Sequence, residues 1–228
     1  MYGNNPYDPS GAAAPSVPFE QPKSLFRFGE TSIWSSFAFA GAGALASSQN
    51  RLFSTPQGQT GQGYGAALSI AETNQREGGR VPSGVAYDVY GIACQVMQGN
   101  QAAVAGATFG QPADTANEIA AAQNIINNGV LSWDFTQTIV EIAPVALVGQ
   151  GGGLFGAVAQ NAAGANSGAM NNGNGQVWMY RKYPVALPGN TTFSIILSFG
   201  SRAAAVGTNC ISVRCTLLGY YKNIIEIG

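Results

Sequence analysis

The acidic side chains are the first candidates for chemistry in this chain, because it contains no histidine. Histidine is the commonest general base and a frequent metal ligand, so its absence excludes serine triads and His-ligated zinc. Two carboxylate pairs could support glycoside hydrolysis, Asp134 with Glu141 and Glu72 with Asp88, but neither lies in a recognisable motif. Asp134 and Glu141 are an odd number of residues apart and would face opposite sides of one regular strand. We therefore predict that the chain is not an enzyme.

The cysteines Cys94, Cys210 and Cys215 lie in strand-like segments, where they are expected to be small apolar packing residues. They lack the close pairs that structural zinc sites use, so no metal site is predicted. If 210–215 is one strand, its ends are about 16 Å apart, whereas a disulfide needs Cα atoms within about 7 Å. This cysteine usage is typical of a chain made in a reducing compartment.

The glycines Gly151, Gly153 and Gly156 match the spacing G-x-G-x-x-G, which lets a helix N-terminus approach a pyrophosphate. The residues that follow are rich in Ala, Asn and Gly, without a helix cap or an acid placed to bind a ribose. The match therefore reflects the high glycine content of this segment and does not indicate a nucleotide site. No cofactor is predicted.

Charge is scarce along the chain. Charged residues make up 9% of it, whereas about 25% is usual for soluble domains. Surfaces with few charges repel their copies weakly, so self-assembly is the natural inference. Residues 1–141 contain ten acids and five bases, and residues 142–225 contain five bases and no acid. Neighbouring copies could therefore present opposite signs, although chance in a charge-poor sequence would give the same division.

The elements that would position these residues are mostly strands. Residues 1–24 hold five prolines among Gly, Ala and Asn, and we expect an extended arm. A single domain follows at residues 25–228. A capping box and a terminal glycine predict one short helix at 114–128, and the glycine-rich segment 149–175 is expected to be an exposed loop. Strands are predicted at 26–28, 33–39, 51–55, 67–72, 85–97, 130–148, 177–187, 193–199 and 211–217.

These runs give about eight or nine strands with one helical insertion, which fits a two-sheet sandwich with Greek-key connections. The predicted fold is all-β, a single jelly-roll β-sandwich; an immunoglobulin-like sandwich has a similar strand count. No signal peptide is expected, because the first ten residues have neither a basic start nor an apolar stretch.

Several segments resemble a known protein family. The sequence AETN at 71–74, GRVPSG at 79–84 and a long strand containing Gly91 and Ile92 resemble the first half of small phage coat proteins. The segments NGVL at 128–131, YPVALP at 183–188 and 213–219 resemble the closing strands of jelly-roll major capsid proteins from tailless icosahedral phages. The resemblance covers roughly residues 50–222. Most such coats stack two jelly rolls per chain, whereas the strand count here allows one.

The resemblance implies a structural subunit that self-assembles into the icosahedral capsid of a tailless virus. Its expected location is the virion, after assembly in the host cytoplasm. The expected partners are copies of itself, other capsid proteins, and an internal membrane or inner protein layer. Direct nucleic-acid binding is not expected, because residues 1–24 contain one base, Lys23. The candidate inter-subunit contacts are Tyr2, Tyr7, Phe19, Phe155 and Met170.

Two other function classes stay open. A secreted carbohydrate-binding β-sandwich would use aromatic side chains as a platform, and Trp34, Trp133 and Trp178 could line its groove. Each of them lies in a strand-like run, where packing in a core is the commoner role. A filament or surface-layer subunit is the other alternative, and electron microscopy would distinguish closed shells from fibres and from monomers.

Overall fold

The described part of the chain is mostly β-structure, as the sequence predicts. The structure is a computed structural model that describes residues 24–39, 50–98, 124–135, 138–148, 156–160, 166–170, 177–180, 182–199 and 211–226. Two short helices are described, α1 at residues 124–128 and α2 at Val145–Val148. The strands are β1 (Ser24–Phe39), β2 (Asn50–Leu52), β3 (Val85–Gln98), β4 (Gly129–Phe135), β5 (Thr138–Pro144), β6 (Gly156–Gln160), β7 (Asn166–Met170), β8 (Trp178–Met179), β9 (Val185–Leu187), β10 (Phe193–Phe199) and β11 (Ile211–Glu226).

The strands form two antiparallel sheets and a separate hairpin. Sheet I has the order β1-β11-β3, and β8 and β9 both pair with the other edge of β3. Sheet II has the order β2-β10-β4-β5, and β6 pairs with β7. Strands that are neighbours in sequence, such as β1 and β2 or β3 and β4, belong to different sheets. The chain therefore crosses repeatedly from one sheet to the other.

One hydrophobic core joins the two sheets. In sheet I, core-facing residues of β3 lie opposite core-facing residues of β11, in the pairs Ile92–Leu217, Cys94–Cys215 and Val96–Val213. In sheet II, the core side of β10 carries Phe193, Ile195, Leu197 and Phe199. The rings of Phe39 on β1 and Phe199 on β10 are 5.6 Å apart and contact each other across the sheets. The alternation in the sequence predicted these faces correctly.

β10 is buried on both faces, although its sequence predicted a half-buried strand. Ser194 and Ile196, which face away from Ile195, are 5% and 1% exposed. Arg51 on β2 and Asp134 on β4 form an ion pair across β10. The two side chains also contact the Ser194 hydroxyl, at 3.1 Å and 3.3 Å. The ion pair therefore covers part of the outer side of this strand.

Residues 60–75 cover the outer edge of β1. The backbone N–H of Trp34 donates to Asn74 Oδ1 at 2.9 Å, and the Asn74 side-chain amide donates to the Ser32 carbonyl at 2.9 Å. Further along, the N–H of Ala38 donates to the Gln62 carbonyl at 2.8 Å. Edge strands expose unpaired backbone groups, and turns satisfy them here. The strand predicted at 67–72 is wrong, because Ala67 forms only an isolated bridge with Thr60 and residues 70–72 form a turn beside the β1 edge.

A buried polar contact fixes the same segment to β1. The Gln62 side-chain amide meets the Ser35 hydroxyl at 2.8 Å and donates to the Ser36 carbonyl at 3.2 Å. The Ser35 hydroxyl also accepts the backbone N–H of Phe53 at 2.8 Å. Gln62 and Ser35 are both buried, so each polar group needs these partners.

Other boundaries differ from the sequence prediction for local reasons. The run 130–148 is a hairpin, β4 and β5, followed by α2, and β5 ends at Pro144 as expected. The run 177–187 is divided into β8 and β9 around Pro184, which has no N–H to donate to a ladder. The segment 149–175 contains the β6–β7 hairpin in its described residues. The predicted helix is observed over residues 124–128, and residues 114–123 lie outside the described residues.

Candidate functional site

An open groove with aromatic walls lies where the edges of the two sheets meet. Its volume is about 720 Å³, and β4 and β5 of sheet II form one side while β8, β9 and the segment between them form the other. We call it the aromatic groove. Its lining residues are Trp133, Phe135, Val140, Glu141, Ile142, Trp178, Met179, Tyr180, Lys182, Tyr183 and Val185.

The floor of the aromatic groove is a hydrogen-bonded pair of aromatic side chains from the two sheets. Residues two apart on β4 share a face, so Trp133 and Phe135 stack, with ring centroids 5.4 Å apart. Trp133 is buried, and its Nε1–H donates to the Tyr180 hydroxyl at 2.9 Å. The backbone N–H of Tyr180 donates in turn to the Tyr90 carbonyl on β3 at 2.8 Å. These bonds fix the floor to both sheets.

The rim of the aromatic groove is apolar and exposed. Val140 is 47% exposed, Met179 is 46% exposed and Tyr183 is 82% exposed. Soluble monomers rarely expose contiguous apolar surface, and where they do it usually marks an interaction site. The arrangement therefore fits a surface that is covered by another molecule.

One acid and one base border this apolar surface. Glu141 on β5 and Lys182 between β8 and β9 are both exposed. Neither forms an ion pair with another residue in the described part of the chain. Lys182 therefore presents a positive charge beside the apolar centre, whereas Glu141 pairs with Ser132 and lies on the face of β5 opposite Val140.

The phenol of Tyr180 stays neutral over a wider pH range than a free tyrosine. Burial raises its pKa, although the hydrogen bond from Trp133 acts in the opposite direction. Because the Tyr180 oxygen accepts from Trp133, its own O–H can donate to a bound group. The aromatic groove can therefore offer a hydrogen-bond donor at its floor.

The carboxylate pair Asp134 and Glu141 lies on one face of sheet II, so the sequence-based expectation of opposite faces is wrong. Asp134 pairs with Ile139 and Ser132 pairs with Glu141, and paired residues share a face. The expectation assumed one regular strand, whereas the chain reverses direction between the two acids. The Asp134 carboxylate is already bound by Arg51 and Ser194.

The second carboxylate pair is kept apart by the fold. The Glu72 carboxylate accepts the backbone N–H of Ser69 at 2.7 Å, in the segment that covers the edge of β1. Asp88 lies on β3 and forms an ion pair with Lys222 of β11 at 2.7 Å. Since β11 lies between β1 and β3, Glu72 and Asp88 do not form one site.

Two of the three cysteines pack in the core, as their sequence context predicts. Cys94 and Cys215 are 2% and 0% exposed and are free thiols. Burial raises the pKa of Cys94 to about 12. Burial also raises the pKa of Cys215, and the neighbouring Cys94 adds to this effect. Cys210 lies outside the described residues, and the described residues contain no cluster of three metal-ligating side chains.

The contact residues predicted from sequence fall largely outside the described part of the chain. This applies to Tyr2, Tyr7, Phe19 and Phe155. Met170 is the last residue of β7, and its backbone pairs with Gly156 of β6. The aromatic groove was not predicted as a contact surface. The available signal was the cluster of Trp178, Tyr180 and Tyr183 beside Pro184, which breaks the strand and exposes the side chains near it.

No described helix has the length and apolar character needed to cross a membrane. Comparisons with protein families, with curated proteins and with solved structures give no match.

Proposed function

We propose that this chain is the jelly-roll subunit of an icosahedral capsid from a tailless virus, and that it acts by self-assembly rather than by catalysis. The observation that carries the proposal is the strand order of the two sheets. The charge-poor composition and the exposed apolar rim of the aromatic groove support it independently.

The strand order supports a jelly roll because of how that fold is built. A jelly roll is a long antiparallel ribbon in which strand one pairs with eight, two with seven, three with six and four with five. Wrapping the ribbon gives two sheets in the orders 1-8-3-6 and 2-7-4-5. In this chain we count the β6–β7 hairpin as an insertion and β8 and β9 together as strand six. The orders β1-β11-β3-β8/β9 and β2-β10-β4-β5 then match 1-8-3-6 and 2-7-4-5.

Contacts between copies fit the described surface. In the proposed shell, a neighbouring subunit covers the aromatic groove, where Val140 and Met179 are about half exposed. Burying a whole side chain of this size contributes roughly 1.5–3 kcal/mol, so burying the remaining half of each contributes about 1 kcal/mol. The exposed Lys182 would favour a neighbouring surface that carries an acid.

Three of the described basic side chains support the expectation that the subunit does not bind the genome directly. Arg51 and Lys222 form ion pairs with Asp134 and Asp88, and Arg214 donates to the Ala71 carbonyl at 2.5 Å. Bases held in this way are less available to phosphate groups. In our proposal the inner partner is another protein layer or a membrane, and the subunit resides in the virion.

Sugar binding is the second candidate function, and the aromatic groove favours it specifically. Two of the three tryptophans, Trp133 and Trp178, lie in the groove together with Tyr180 and Tyr183. Aromatic faces of this kind stack on sugar rings, and the Tyr180 hydroxyl could bind a sugar hydroxyl. A groove that binds sugar must stay open to solvent in the working protein, whereas a contact between subunits must be covered.

The test is to purify the full chain and examine it by light scattering and electron microscopy over a range of concentrations. Closed shells, or the capsomers from which they form, are expected; fibres would favour a filament subunit. A strict monomer whose tryptophan fluorescence responds to oligosaccharides would overturn the capsid proposal and favour the second candidate.

A matched pair of variants makes the test specific to the aromatic groove. Val140→Thr combined with Met179→Gln keeps side-chain size and removes about 2 kcal/mol of apolar burial per contact. Each contact between copies should then weaken about 30-fold. Leu147→Gln is the control, because Leu147 is 54% exposed on α2 and lies outside the groove. Equal assembly of the two proteins would contradict a role of the groove in assembly.

A further inference from the structure

Cys94 and Cys215 face each other directly across sheet I. They are 121 residues apart in the sequence and occupy the same register position on β3 and β11. Both thiols are free and buried on the core side of the sheet. Whether two opposed cysteines can form a disulfide depends on which type of antiparallel pair they make, because the two types differ in Cα separation.

The bonds of β1 show in which direction the backbone of Cys215 points. Trp34 directs its N–H and C=O away from β11, since both bond to Asn74 at the outer edge. The next residue, Ser35, therefore directs its backbone groups toward its partner Cys215 on β11. Cys215 therefore uses its backbone N–H and C=O to bond with Ser35. Neither of these two groups is directed toward β3.

The bonds of β3 lead to the same result. The Tyr180 N–H donates to the Tyr90 carbonyl at 2.8 Å, which makes Ile92 and its partner Trp178 a hydrogen-bonded pair. Ile92 therefore directs its backbone groups away from β11, and Cys94, two residues further, does the same. Cys94 and Cys215 are thus a non-hydrogen-bonded pair.

This type of pair brings side chains closest together. Its Cα atoms are about 4.5 Å apart, and disulfides form at Cα separations of about 4.4 to 6.8 Å. The two side chains also share the core face, so the sulfurs extend in the same direction from the sheet. The backbone can therefore accept an S–S bond with little rearrangement.

We propose that Cys94 and Cys215 form a reversible intrachain disulfide, which makes this pair an oxidation site within the core. One S–S bond forms between the sulfurs. The two protons and two electrons pass to a small-molecule disulfide such as oxidised glutathione, whose own S–S bond breaks to give two thiols. This inference does not depend on the proposed function.

The chemistry sets when the bond forms. The attacking group in thiol–disulfide exchange is a thiolate, and burial keeps both thiols protonated. The native protein therefore stays reduced in a reducing compartment and reacts slowly outside it, through transient opening of sheet I. Unfolded chains that refold in an oxidising buffer react quickly. Once formed, the disulfide closes a long loop and lowers the conformational entropy of the unfolded chain. The folded state is therefore stabilised relative to the unfolded state.

The test uses a Cys210→Ser protein, so that only the proposed pair can react. The protein is unfolded, refolded in a glutathione redox buffer and digested without reduction, and its peptides are identified by mass spectrometry. A cross-link between the peptides that contain Cys94 and Cys215 is expected, with a mass lower by two hydrogen atoms. Reduction should reverse it, and the oxidised protein should melt at least about 5 °C higher than the reduced protein.

Two results would overturn the proposal. The first is a protein that refolds fully and retains both free thiols in the oxidising buffer. The second is an oxidised protein, with the Cys94–Cys215 disulfide formed, that melts at a lower temperature than the reduced protein. That result would show that the two cysteines cannot form the bond without strain. Cys94→Ala in the same background is the control and should give no intrachain cross-link in either buffer.

Discussion

Gly63→Ala should destabilise the protein far more than Gly58→Ala, although the two glycines share a backbone conformation. Their φ angles are +79° and +85°, a region that L side chains rarely adopt. An alanine there costs about 1–2 kcal/mol. No atom lies within 4 Å of a Cβ added at Gly58, whereas a Cβ at Gly63 would overlap the carbonyl oxygen of Ala38 on β1. The difference between the two variants therefore isolates this clash.

The size of the effect follows from the bonds that must break to relieve the clash. Moving Gly63 away from β1 separates the Ala38 N–H from the Gln62 carbonyl, now 2.8 Å apart. It also moves the Gln62 side-chain amide from the buried Ser35 hydroxyl. Each buried polar group left without a partner costs about 1–3 kcal/mol. The total for Gly63→Ala is then about 3–8 kcal/mol, a large part of the ~5–15 kcal/mol that stabilises a typical domain.

Urea unfolding followed by tryptophan fluorescence measures both variants on the same scale. We expect Gly58→Ala to keep a transition close to that of the parent protein, and Gly63→Ala to lose most of its free energy of unfolding. The Gly63 variant should also aggregate, because the uncovered edge of β1 is a template for pairing with other chains. Equal losses in the two variants would refute the assigned role of residues 62–63.

Two further outcomes can be measured on the same protein. Tyr180→Phe should lower the free energy of unfolding by about 1–3 kcal/mol, because it leaves the buried Trp133 Nε1–H without its acceptor. Tyr183→Phe, at an exposed site, should change the free energy of unfolding very little, and similar losses in the two variants would contradict the role of this hydrogen bond. Stability should be constant at neutral pH and fall above about pH 9, since Cys94 ionises near 9.0 when unfolded and near 12 when folded. Each such group contributes up to about 1.4 kcal/mol per pH unit. Cys94→Ala should reduce that slope, and an unchanged slope would argue against this cause.

The faces of the long strands could be predicted from sequence because they depend on local alternation. The core positions 92, 94 and 96 on β3 and the alternate residues of β11 match the prediction. The all-β class followed from the same pattern. These properties require only that apolar residues recur at the period of a strand.

Features that depend on pairing between distant segments could not be predicted in this way. The two residues between β4 and β5 in the sequence are Thr136 and Gln137, and no glycine, proline or asparagine there indicates a reversal. The reversal was missed, and the relation of Asp134 to Glu141 was predicted wrongly. The segment 67–72 has strand-like composition, but it contains no strand, and residues 70–72 form a turn beside the β1 edge. The register of Cys94 with Cys215 depends on the packing of the whole sheet.

The aromatic groove was predicted only in part, through the suggestion that Trp133 and Trp178 could line a sugar-binding groove, and the reason is related. Trp133 and Trp178 were both expected to lie in strands and to pack in the core, and Trp133 does so. The groove exists because β5 and β8 are the outermost strands where the two sheets meet. A sequence shows which side chains are apolar, but not which of them lie at the border between two sheets.

The pairing of β1 with β11 affects how the protein is made on the ribosome. Ser24 pairs with Glu226 and Phe39 with Ile211, so the first described strand is completed by the last. β11 also lies between β1 and β3, so these two strands cannot join one sheet until the ribosome has synthesised residues 211–226. Folding that depends on such distant contacts is slow. During translation β1 and one edge of β3 therefore stay without their partner strand, and chaperones that bind such strands should have their greatest effect before residues 211–226 are complete.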